Sequence, residues 1–150
     1  MTWFEGAHTE TFTVRRDLDT TRRHFSDPAT IAAHTEGLQS HTIDGDVVHF
    51  VLALQDHGVV KFAGDYRCRY TLDGDTLRWA PAGGNTNQSG EATFRAVEGG
   101  TEVTYREKLE VELDVNALMA PMLKLVMGPM LAHEAKEYLR RMIASLERQG

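Results

Sequence analysis

Between Leu38 and Leu113 apolar residues recur at every second position, in runs parted by turn signals, and beyond Leu113 the period becomes helical. The turn signals are Asp44-Gly45, His57-Gly58, Asp73-Gly74, Gly83-Gly84 and Gly99-Gly100. Such spacing predicts a meander of antiparallel strands near Leu38–Ile43, Val47–Leu54, Val59–Leu72, Thr76–Ala80, Gly90–Val97 and Thr101–Leu113. A further strand is predicted over Thr9–Val14, where Glu10, Phe12 and Val14 share a face. Two short helices follow it. Asp17 or Asp19 can cap the first, which runs through Phe25, and Asp27-Pro28 places a cap and an N1 proline at the start of the second.

The phase of the alternation assigns faces. Val60, Phe62, Gly64, Tyr66, Cys68, Tyr70 and Leu72 alternate with Lys61, Asp65, Arg67 and Arg69, which predicts a sheet with one wet and one dry side. Val48, Phe50, Leu52 and Leu54 fit the dry face, as do Leu77 and Trp79. From Pro129 to Gln149 the stripe Leu131, Ala135, Tyr138, Leu139, Met142 and Leu146 predicts a long amphipathic helix. The segment before it, residues 118–131, is apolar nearly all round and carries Met119, Met122, Met127 and Met130; Gly128-Pro129 should kink or break the chain there.

Glu107 is the exception to the last alternating run: it falls in phase with Val103, Tyr105, Leu109, Val111 and Leu113. A two-residue turn at Gly99-Gly100 would set Phe94 opposite Tyr105 and Ala92 opposite Glu107. Buried without a partner, a carboxylate has its pKa raised and can serve as acid, base or ligand anchor. Alternatively it is architecture, neutralised by His8 or Arg16 if the first strand pairs with the last.

One domain spanning 1–150 suits the length and the 41% hydrophobic content. A net charge of -6 with scattered basic residues argues against nucleic acid as a partner. A single cysteine, Cys68, excludes a disulfide framework and fits a cytoplasmic location. No run has the length of a membrane span, and the N-terminal residues lack a signal-peptide layout. His8, His24, His34, His41, His49, His57 and His133 show no pair at metal-ligand spacing, so neither metal nor other cofactor is expected. A Gly45-Asp46 turn would put His41 on the dry face opposite Phe50. No Gly-x-Ser-x-Gly elbow exists for nucleophilic catalysis.

Strand, two short helices, six further strands and a long C-terminal helix is the order of the helix-grip fold, an α+β architecture in which a curved seven-stranded sheet wraps a helix. The sequence resembles the SRPBCC superfamily, the START-like group that includes the birch-pollen allergen fold and polyketide cyclases. The residues carrying the resemblance are Phe25-Ser-Asp-Pro-Ala-Thr-Ile31 and Gly64, together with Gly90-Glu-Ala-Thr-Phe94 and Gly99-Gly-Thr-Glu-Val-Thr-Tyr105. The last three are similar to the branch formed by carbon monoxide dehydrogenase accessory subunits.

The resemblance implies a cavity between sheet and helix. Its expected walls are Phe50, Phe62, Tyr66, Tyr70, Trp79, Phe94, Tyr105, Glu107 and Leu109, closed at one end by Met122 and Met130. The first functional expectation is a binding or carrier protein for a small hydrophobic molecule such as a lipid, polyketide or isoprenoid-like compound. The second is a cyclase or dehydratase-like enzyme with Glu107 as base and Tyr66 or Tyr105 as donor. A third is an accessory protein that docks a partner chain or a second copy through residues 118–131.

Overall fold

The computed structural model describes residues 1–56, 58 and 60–149. β1 (Thr2–Val14) is longer than the predicted Thr9–Val14, because its whole length is paired antiparallel with β9 (Gly100–Leu113), from Thr2 opposite Leu113 to Val14 opposite Thr101. α1 (Leu18–Ser26) and α2 (Pro28–Ala33) follow. The Asp17 carboxylate accepts the Thr20 N–H at 3.1 Å, and Asp27 accepts that of Thr30 at 3.2 Å, so each helix starts on an acidic cap.

The meander consists of β2 (Leu38–Asp44), β3 (Val47–Leu52), a two-stranded ribbon of β4 (Gln55–Asp56) and β5 (Lys61–Phe62), β6 (Asp65–Asp73), β7 (Thr76–Gly84), β8 (Thr86–Val97) and β9. Seven strands form one antiparallel sheet in the order β1-β9-β8-β7-β6-β3-β2. The run predicted as one strand over Val59–Leu72 is divided between β5 and β6; its first residue, Val59, and His57 of the His57-Gly58 turn lie outside the described residues. Gly64 sits at the division, packed so closely that a Cβ there would meet the Leu52 side chain. Leu54 lies past the end of β3 and Leu72 near the far end of β6, and both are exposed rather than on the dry face.

The β8–β9 hairpin turns at Glu98-Gly99, with Val97 opposite Gly100 and Gly99 at φ 83°. Hence Phe94 faces Val103, Ala92 faces Tyr105 and Gly90 faces Glu107, a slip of two positions from the pairing that a Gly99-Gly100 turn predicts. An even slip preserves faces, which is why every inward assignment on these strands survives it.

α3 (Ala120–Arg148) crosses the dry face as one helix. It runs through Gly128-Pro129, where the sequence predicts a kink or break. Pro129 has no N–H for the Leu125 carbonyl, but Leu125 is exposed and water can satisfy that oxygen. Leu139, Met142 and Leu146 of α3 pack on Phe50, Trp79, Phe94, Val103 and Tyr105 in the main core, while Met127 and Leu131 meet Phe4, Val111 and Leu113 in a second cluster. At Gly6 the backbones of β1 and α3 touch, since a Cβ there would run into Gly128 O, Ala132 N and Leu131 Cβ. Arg16, just beyond β1, donates from Nε to Leu146 O at 3.1 Å and from Nη2 to Glu147 O at 2.8 Å, satisfying carbonyls at the end of α3.

Candidate functional site

Between the sheet and α3 lies a cavity of about 150 Å³. β5 to β9 supply Phe62, Tyr66, Tyr70, Trp79, Gln88, Tyr105, Glu107 and Leu109; α3 supplies Ala135 and Tyr138; α1 and α2 supply Phe25 and Ile31. Thr35, Glu36, Gln55, Glu134 and Arg141 line its more exposed part. Arg141 is held there by donating from Nε to His34 O at 3.0 Å and by the Glu36 carboxylate 3.8 Å from its Nη1. Burial raises the Glu134 pKa, and the negative charge of Glu36 adds to the effect.

Seven of the residues expected on the wall are on it: Phe62, Tyr66, Tyr70, Trp79, Tyr105, Glu107 and Leu109. Four are not. Phe50 is buried behind the wall, stacked on Tyr66 with ring centroids 5.0 Å apart, and Phe94 packs on Phe25 at 5.9 Å. Met130 belongs to the second cluster, and Met122 is 66% exposed on α3 together with Leu125 and Val126, as is Leu118 just before the helix. His41 does stand opposite Phe50, yet β2 is an edge strand of the sheet and the imidazole is exposed. Gln88 and Tyr138 are the additions that matter chemically. Gln88 sits in Asn85–Ser89, a polar run without alternation that reads as a loop, and only its pairing with β9 makes it strand. Tyr138 carries a signal in its place on the apolar stripe of α3, which by itself reads as core.

The polar groups form two sets. In the first, Tyr70 donates its hydroxyl to Gln88 Oε1 and Gln88 Nε2 donates to the Tyr66 hydroxyl, each at 3.2 Å. The second is Glu107, 7% exposed, whose Oε2 accepts the Tyr105 hydroxyl at 2.6 Å. Neither cation suggested by the sequence reaches it. His8 is the Cα partner of Glu107 across β1 and β9, but its ring is bound to Glu10 at 2.8 Å, and Glu10 in turn accepts Arg140. Arg16 is committed to the α3 terminus. Burial therefore dominates: it pushes the Glu107 carboxyl up to about 7, against the opposing pull of the Tyr105 hydrogen bond. Tyr105 is itself raised well above the usual phenol range by burial and by the neighbouring carboxylate.

Trp79, Gly90 and Glu107 form a row across β7, β8 and β9. Gly90 is bare, and the indole lies over it: a Cβ there would be 2.7 Å from Trp79 Cζ2 and 2.9 Å from Cε2. The indole also packs on Tyr105, with centroids 5.4 Å apart. A carboxyl that is half ionised near neutrality, beside a phenol and open volume, can exchange a proton or anchor a polar atom. Among the described residues no cluster of three His, Cys, Asp or Glu side chains converges as a metal site would need, and no helix is long and apolar enough to cross a membrane.

No family model matches the sequence, and no curated protein matches it significantly. Solved structures do. An aromatase/cyclase from Streptomyces sp. R1128 superposes with TM-score 0.68 at 12% identity, over 97% of this chain and 95% of that one. A START superfamily protein from Mycobacterium smegmatis gives 0.61 at 14% identity over 94% of both chains. A protein from Thermus thermophilus gives 0.67 at 15% identity, over 95% and 96%. The chain thus has the helix-grip fold of these structures, a START superfamily protein and an aromatase/cyclase among them, which is the fold that the sequence resemblance implies.

Proposed function

We propose that this protein binds a small, largely hydrophobic molecule in the cavity between the sheet and α3, with Glu107 and Tyr105 meeting its polar part. The observation that carries this reading is the state of Glu107: a buried carboxyl at the cavity wall whose hydrogen bond comes from a tyrosine and not from a cation. A charge kept merely for architecture would be expected to hold a cationic partner, because an unpaired buried carboxylate costs stability. Apolar and aromatic walls supply the burial that drives binding. The fold shared with a START protein and an aromatase/cyclase is in keeping with either carriage or chemistry on such a ligand.

Native mass spectrometry of the purified protein, with denaturing extraction of whatever co-purifies, tests this. An apolar small molecule released in stoichiometric amount is expected. Protein that emerges empty from several hosts, and takes up no apolar probe in titration, would overturn the reading.

A cyclase or dehydratase-like activity is a second reading, favoured by the Glu107 carboxyl at about 7 beside Tyr105, which suits general acid-base work. In that case Glu107→Gln should bind substrate but not turn it over. Docking of a partner chain or second copy on residues 118–131 is a separate proposal, supported by the exposure of Leu118, Met122, Leu125 and Val126. A cytoplasmic location is proposed on the free, buried thiol of Cys68.

A further inference from the structure

Trp79 Nε1 is a buried side-chain donor that meets no acceptor among the described residues, in a side chain only 6% exposed on the cavity wall. Its neighbours are otherwise engaged. Tyr66, Gln88 and Tyr70 bond to one another, and Tyr105 is spent on Glu107. An indole N–H left without an acceptor away from water is costly, and tryptophan usually finds one when buried. The cause of the placement is Gly90: its missing side chain lets the indole lie across β8, on the line from Trp79 to Glu107.

We infer that the cavity takes an uncharged molecule whose buried end is a carbonyl oxygen, and that the Trp79 indole N–H, closed off from the open volume in this structure, is uncovered by a small side-chain shift to receive it. This rests on the reading of the cavity as a binding site. A carbonyl accepts two hydrogen bonds, and the row supplies two donors, the indole N–H and Glu107 in its protonated form. An anionic group is disfavoured beside Glu107, the more so because Arg141, the sole cation on the wall among the described residues, is in the exposed part and engaged with His34 and Glu36. A donor-only group such as an ammonium would leave the indole N–H unanswered.

A dry cavity of about 150 Å³ is known to hold a benzene-sized guest, so acetophenone, ethylbenzene and 1-phenylethylamine are suitable probes. Titrations of ¹⁵N-labelled protein, followed through its two indole N–H signals, decide the matter. Acetophenone is expected to bind at least about fivefold more tightly than ethylbenzene, the fold-change of one hydrogen bond, and to move the Trp79 indole proton downfield while ethylbenzene does not. Trp79→Phe should abolish that preference and keep ethylbenzene binding. Equal affinities, a bound ketone with no downfield shift, or tighter binding of the amine would overturn the inference while leaving the cavity reading intact. Failure of all three probes to bind overturns both. Should Trp79→Phe not fold, the proton shift in the parent protein decides alone.

Discussion

Glu107 links ligand chemistry to stability. Its carboxyl titrates at about 7 in the folded protein against 4.5 ordinarily, so between those values the folded state keeps a proton that the unfolded chain releases. Stability therefore falls as pH rises through that window, and the burial penalty is complete above it. Glu107→Gln should remove the dependence: the variant is expected to exceed the parent by on the order of 3 kcal/mol at about pH 8 and to converge with it towards about pH 4. Urea unfolding across that range measures the difference, and two curves running parallel would contradict the assignment. Glu107 was legible in the sequence because a charge in an apolar phase breaks a period of two. The unpartnered Trp79 was not, because its place beside Gly90 and Glu107 depends on a hairpin register that two adjacent glycines leave ambiguous.

Among the elements, the contact of β1 with α3 is the tightest constraint. Gly6 permits it, and Gly6→Ala must force the two backbones apart at Gly128 and Ala132. A loss of about 1–3 kcal/mol is expected from such overpacking, with no change in the pH dependence due to Glu107; thermal melts at two pH values check both statements. The acidic caps of α1 and α2 were readable residue by residue, since a cap is a local hydrogen bond. The continuity of α3 was not. Proline penalises a helix locally, whereas burial of Met127 before it and of Leu131 and Leu139 after it holds both halves in line. Similarly, β8 extends back to Thr86 because β9 is long enough to pair with it, a fact held in the partner rather than in the polar run itself.

For the whole molecule, periodicity and turn spacing specified the architecture because each face of each strand must meet either core or water. What they left open was volume. A filled core and a walled cavity demand the same alternation, and only the gaps between Phe62, Tyr105, Tyr138 and their neighbours distinguish them. The pairing of β1 with β9 joins positions roughly a hundred residues apart, Thr2 with Leu113 and Val14 with Thr101. Such non-local closure predicts refolding in milliseconds to seconds rather than microseconds, measurable by stopped-flow dilution from urea. During translation at about 5–20 residues per second, β1 must wait on the order of 5–20 s for β9, its neighbour in the sheet, to be made. Phe4, Phe12 and Val14 have no sheet to cover them for that time, which makes the first strand of the finished protein the nascent chain's most exposed liability and its best handle for a chaperone.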